Sequence, residues 1–181
     1  MSPALQIVDQ VLQSLIKLDL PHMLVGSFSS NAYGTPRSTQ DLDVVMRIEA
    51  DEVNNLLMHL GPDFQLDPQI GFETKLFTTK YLISVKDHAF KIEVFELSHD
   101  PHDQSRFQRR QTLNVAGHLV SIASPEDVVI QKLRWARAKD LEDVKGILLI
   151  QAGRLDEAYL EHWCRQHGSW DRLVDLRSGL R

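Results

Sequence analysis

Leu5, Val8, Leu12 and Leu15 recur three to four residues apart, the spacing of one helical face. Ser2-Pro3 in front of them reads as an N-cap with proline at the first helical position, and Leu20-Pro21 ends the run. His22 to Gly26 is a short apolar strand that runs into small and polar residues. Asp41 to Arg47 predicts a second strand, and Ala50 to Leu60 a helix closed by Gly61-Pro62. Lys80 to Val85 and Ala89 to Leu97 predict a hairpin turning at Lys86-Asp87-His88, and His118 to Ile122 a further strand. Ser124-Pro125-Glu126-Asp127 opens another helix with an N-cap serine, a proline and acids in the first turn. Two or three more helices fill the chain to Arg181. The strands thus lie in the first two thirds and the last third is helical. This predicts an α+β fold within one domain spanning 1–181. Its core over 1–123 is a mixed β-sheet with helices packed on one face, followed by a helical C-terminal segment over 124–181.

Composition adds little to that picture. An apolar fraction of 43% and a charged fraction of 25% are ordinary for a globular chain. A chain of this size buries roughly 70% of its unfolded surface and needs no disulfide. Cys164 is the one cysteine, so no intramolecular disulfide can form, which fits a reducing cytoplasm. The opening residues Met1 to Gln6 lack the basic and apolar regions of a secretory signal. No stretch approaches the ~20 apolar residues that span a bilayer. The expectation is a cytoplasmic protein without a membrane partner. A net charge of −5 argues against bulk attraction to nucleic acid and leaves local basic patches open.

The chemistry gathers around Asp41-Leu42-Asp43-Val44-Val45. Alternate residues of a strand share a face, so Asp41 and Asp43 point the same way while Leu42 and Val44 point into the core. Two adjacent carboxylates repel unless a cation lies between them, and a hard cation such as Mg²⁺ takes carboxylate and phosphate oxygens. The bland reading is an edge strand with solvated acids. Thirteen residues separate Asp41 from Gly26-Ser27. That pair can cradle a phosphate with backbone N–H groups and a hydroxyl, or simply form a turn. Arg37, Ser38 and Thr39 directly before the acids add donors for phosphate oxygens.

Leu24-Val25-Gly26-Ser27 followed by Arg37-Ser38-Thr39-Gln40-Asp41-Leu42-Asp43-Val44 resembles the signature of the DNA polymerase beta-like nucleotidyltransferase superfamily. That signature is a strand, a Gly-Ser or Gly-Gly pair, a spacer and two carboxylates one apolar residue apart. Ser124 to Asp127, Lys132-Leu133 and Arg137 to Asp143 look like the branch of AbiEii-type toxins and their bacterial relatives. The resemblance covers roughly residues 20 to 150. It implies transfer of a nucleoside monophosphate from an NTP such as ATP to an acceptor hydroxyl on RNA, protein or a small molecule. It also implies Mg²⁺ or Mn²⁺ held by Asp41, Asp43 and a third carboxylate on a neighbouring strand.

Glu93 is the candidate for that third ligand, because Ile92 and Val94 flank it on the opposite face; Glu96 is the alternative. Aspartate is usual there, and glutamate's extra methylene shifts a ligand enough to matter to metal geometry. The nucleotide-binding set is Gly26, Ser27, Arg37, Thr39 and Lys132. Lysines near the last position contact the triphosphate in related proteins, though a surface lysine is the equal alternative. Asp140 reads as a helix cap, and Asp143 as support behind the site. The histidines show no metal-ligand spacing. His99, Asp100, His102 and Asp103 fall in a predicted loop, with a zinc site there as the lesser reading, and Arg106, Arg109 and Arg110 form a basic cluster that reads as a solvated loop rather than a holder of phosphate or RNA. The tryptophans and Cys164 read as packing residues. Two other readings stand beside the enzyme: a nucleotide-binding or protein-interaction module that lost turnover, and the transferase half of a toxin–antitoxin pair with an antitoxin partner.

Overall fold

The computed structural model describes residues 2–48, 50–115 and 117–180, with Ala50 by its backbone alone. Met1 and Arg181, the limits of the predicted domain, lie outside them. Among the described residues the order is α1 (Pro3–Lys17), β1 (His22–Leu24), α2 (Gly26–Tyr33), β2 (Asp41–Met46), α3 (Ala50–Leu60), β3 (Phe64–Leu66), β4 (Gly71–Glu73), β5 (Thr78–Val85) and β6 (His88–Glu96). Then follow α4 (Pro101–Gln108), β7 (Gln111–Val115), β8 (His118–Ile122), α5 (Pro125–Trp135), α6 (Ala138–Ile150), α7 (Glu157–Gln166) and α8 (Trp170–Ser178).

One open mixed sheet runs β3-β5-β6-β2-β1-β8-β7, with β4 paired to β5. The β2–β6 and β1–β8 pairs are parallel and the rest antiparallel. This is the predicted α+β fold with a helical last third. The best-read elements are those with a long apolar period or a cap. Ser2 Oγ accepts from the Leu5 N–H, and α1 buries Ile7, Val8, Val11, Leu12 and Leu15. Ser124 Oγ accepts from the Asp127 N–H, and α5 ends at Ala136 in the left-handed region. In β2 and β6, Leu42, Val44, Met46, Ile92 and Val94 are fully buried, as alternation requires.

Several expectations need correction. The first strand stops at Leu24, so Gly26 lies beyond it, as the first residue of helix α2. β2 ends at Met46, so Arg47 lies beyond it, its N–H bonded to the Pro21 carbonyl. The hairpin turn is Lys86-Asp87, with Asp87 at φ +57° and His88 already in β6. α4 replaces the predicted loop: Asp100 caps it by accepting from the Asp103 N–H, with Pro101 at the first position. β3, β4 and β7, at or near the sheet edges, lie outside the predicted strands. No helix of the described residues is long and apolar enough to cross a membrane.

Candidate active site

The parallel β2–β6 register sets Asp43 opposite Glu93 and Asp41 opposite Lys91. The facing residues Leu42, Val44, Ile92 and Val94 bury on the far side, so the acids face the near one. There Asp41, Asp43 and Glu93 line one cavity of about 330 Å³. Lys80 Nζ lies 3.3 Å from both Glu93 carboxylate oxygens. The alternative, Glu96, accepts a hydrogen bond from the Tyr81 hydroxyl at 2.7 Å and is not part of the cavity wall.

Gly26 stands at the rim with φ +61°. A Cβ there would lie 1.9 Å from Asp43 Oδ2, closer than any real contact. The glycine is therefore required twice, by its backbone angle and by the carboxylate it faces. The Val25 N–H donates to the Asp43 carbonyl, tying the start of α2 to β2. Ser29 and Ser30 hydroxyls both donate to the Gly26 carbonyl. Of the two serines near the rim, Ser29 lines the cavity, whereas buried Ser27 accepts from Arg37 Nη2 at 3.0 Å.

Arg37 is turned away from the cavity and grips Asp143 with two bonds, Nε to Oδ1 at 2.8 Å and Nη2 to Oδ2 at 3.0 Å. It clips the β2 approach to α6. The Thr39 hydroxyl donates to Asp41 Oδ1. Lys132 is buried, which removes the surface-lysine alternative; its Nζ lies 2.6 Å from Asp143 and 3.2 Å from Asp140 at the cavity wall. Asp140 is the third residue of α6, accepting from the Arg137 N–H at the cap position, so it closes the helix start from inside. Burial works against ionised Asp143, but Arg37 and Lys132 hold its carboxyl below the usual range.

Other cavity residues carried no usable sequence signal. Trp135 lines the cavity, and Lys75 Nζ sits 5.6 Å from its ring centroid. Gln131 also lines the cavity, and both its amide atoms are buried without a hydrogen-bond partner. Arg106 is a buried wall residue paired with Asp103 at 2.5 Å, contrary to the solvated loop expected. Arg109 stacks 3.8 Å from the Tyr159 ring centroid, and Arg110 covers Phe107. Cys164 is buried, and burial pushes its thiol pKa up, as suits a packing residue.

The carboxylates strain against each other. Burial, then Asp41 and Glu93, push the Asp43 pKa up to about 7 from 3.8. In metal-free protein the folded chain therefore keeps a proton that the unfolded chain releases near pH 4. Stability falls as pH rises from ~4 to ~7 and levels off above, a loss of at most ~4 kcal/mol. Melting temperature measured in a chelator across this range should show that fall, and Asp43→Asn should flatten it. An unchanged slope in the variant would assign the effect to other groups.

A family profile described as "Nucleotidyltransferase of unknown function (DUF6036)" matches residues 4–170. No curated protein sequence matches significantly. Among solved structures, ANT(2″)-Ia in complex with adenylyl-2″-tobramycin superposes with a TM-score of 0.65 at 12% identity, over 92% of this chain and 99% of that one. The solution structure of the antibiotic-resistance factor ANT(2″)-Ia gives 0.62 at 14% identity, over 94% and 96%. An antigenic nucleotidyltransferase-like protein from Paracoccidioides brasiliensis gives 0.56 at 20% identity, over 99% and 93%. At these identities the structures share the fold, and the profile, which spans nearly the whole chain, decides the family. The chain belongs to the nucleotidyltransferase family DUF6036.

Proposed function

We propose that this protein transfers a nucleoside monophosphate from a nucleoside triphosphate to an acceptor hydroxyl, with Asp41, Asp43 and Glu93 holding Mg²⁺ or Mn²⁺. The observation that carries the reading is the in-register Asp43–Glu93 pair, with Asp41 on the same face of one cavity. The donor set fits a hard cation: it is all carboxylate oxygen, and burial together with Asp41 and Glu93 raises the Asp43 pKa, a cost that a bound cation would relieve. When bound, the cation neutralises triphosphate charge and activates the acceptor oxygen.

The chain's own residues supply the rest. The first N–H groups of α2 have no acceptor within the helix, and the positive end of its dipole favours a phosphate at the rim. Lys80 and Lys132 add positive charge for the triphosphate on the cavity wall. The Thr39 hydroxyl orients Asp41. Arg37 serves binding indirectly, by fixing Ser27 and Asp143. Trp135 is an aromatic side chain on the wall against which a base would pack. The acceptor oxygen bonds to the α-phosphorus as its bond to the bridging oxygen breaks. Pyrophosphate leaves, and the acceptor's proton passes to a carboxylate of the cavity.

Each of the four α-labelled NTPs, with Mg²⁺ or Mn²⁺, tests this against RNA, protein and small-molecule acceptors. Aminoglycosides belong in the panel because the similar ANT(2″)-Ia was solved with an adenylylated one. Cation-dependent label on one acceptor class is the expected result. Nucleotide binding without transfer to any class would favour the binding-module reading. The AbiEii-type branch and its antitoxin partner rest on the stretch from Ser124 to Asp143, whose caps and ion pairs the fold itself accounts for. The cytoplasm, with its supply of NTP and Mg²⁺, is the proposed location.

A further inference from the structure

A second cluster of ligand-type side chains lies outside the cavity just described. Asp100, the cap of α4, His102 in its first turn and His167 just past α7 each bring a ligand atom within 4.8 Å of the others. His102 is wholly buried, and its Nε2–H donates to Asp127 Oδ1 at 2.9 Å. Asp127 also accepts from the Ser124 hydroxyl at 2.6 Å and the Tyr159 hydroxyl at 2.8 Å, so it acts purely as an acceptor. The proton on the His102 ring is therefore fixed on Nε2, and Nδ1 presents a lone pair. That Nδ1 is buried without a hydrogen-bond partner, and so is Nδ1 of His167. The two rings are 5.2 Å apart, and the Trp163 ring walls them at 4.9 Å and 5.7 Å.

A carboxylate behind one imidazole nitrogen, with the other nitrogen bare, is how protein holds a metal-binding histidine. A core histidine kept only for packing has no reason to face a second unpaired imidazole. The geometry points to a Zn²⁺ site formed by His102 Nδ1, His167 Nδ1 and an Asp100 carboxylate oxygen, with water as the fourth ligand. Imidazole nitrogens select against Mg²⁺ and Ca²⁺, and two histidines with one carboxylate suit four-coordinate Zn²⁺. Bonds of about 2.0–2.1 Å put tetrahedral ligands ~3.4 Å apart, so half-buried His167 closes by about 1 Å on binding. Asp100 keeps its bonds from Arg134, at 3.3 and 3.1 Å, on its remaining lone pairs. The nearby guanidinium opposes the cation and weakens the site. Half-exposed Asp100 and His167 give the ion its entry path. Bound there, Zn²⁺ bolts the end of α7 to the start of α4.

The test uses full-length protein with Asp41→Asn and Asp43→Asn, which disables the carboxylate site, after chelator treatment and dialysis. Addition of Zn²⁺ should give about one bound ion per chain and a higher melting temperature. Co²⁺ in its place should give the strong visible absorption of a four-coordinate ion. His167→Gln in the same background should weaken binding by at least ~100-fold and abolish both signals. Zinc-edge X-ray absorption on the unmutated cluster keeps the test decisive should that variant fold poorly, with two imidazoles in the ligand shell as the expected result. No retained Zn²⁺, a shell without imidazole, or binding unaltered by His167→Gln would overturn the site and leave a water between the two rings.

Discussion

Asp41→Asn and Asp43→Asn should each cut nucleotidyl transfer by about 10³-fold or more while the protein stays folded. An amide keeps the size of the carboxylate and loses its charge, so the cation is held far more weakly and the developing charge on the phosphates goes uncompensated. The fold should not suffer. Asp41 keeps an acceptor oxygen for the Thr39 hydroxyl. Asp43→Asn removes a carboxylate that its surroundings already push towards its neutral form. The check is paired: initial transfer rates with one responsive acceptor, and melting temperatures with and without Mg²⁺. Wild type should gain stability from Mg²⁺ at pH 8 and the variants should not. Residual rates within ~10-fold of wild type would remove these carboxylates from the chemistry, however well they line the cavity.

Gly26→Ala is expected to be nearly as damaging, for a steric reason. The left-handed backbone angle costs any other residue ~1–2 kcal/mol. The added methyl also meets Asp43 Oδ2 at 1.9 Å, so the carboxylate or the start of α2 has to move. A displacement of about 1 Å at a reacting centre costs ~100-fold in rate. Gly153 provides the control: its φ is +75°, and a Cβ there meets nothing within 4 Å. Gly153→Ala should lose a similar increment of stability and keep its transfer rate, whereas Gly26→Ala should lose both. Equal rates in the two variants would mean that Gly26 serves only the turn.

What could be read in advance follows from the range of the interactions. Period-two alternation put Asp41 and Asp43 on one face, and parity separated Glu93 from Glu96. The pairing of Asp43 with Glu93 joins strands fifty residues apart, and no local pattern carries that register. The same holds for Arg37 with Asp143, and for His102 with His167. Helix α2 escaped because Gly26-Ser27-Phe28-Ser29-Ser30 has serines where an apolar face would normally signal a helix. β3 and β4 have three residues each, too few to alternate visibly. α4 was readable: Asp100-Pro101 repeats the cap-and-proline sign of Ser2-Pro3 and Ser124-Pro125. His102 lies on this helix, in place of the expected loop. The arginines after it then looked solvated, although Arg106 packs inward from a helix.

β2 lies at the middle of the sheet, hydrogen-bonded to β1 on one side and β6 on the other, while β3, β4 and β7 lie at its margins. Backbone amides of such inner strands exchange with solvent only through the largest opening motions, and those at the margins through small ones. All three acids sit on β2 and β6, two of these inner strands. Fraying at the edges should leave the spacing of the three acids untouched, although Glu73 of β4 on the cavity wall would move with it.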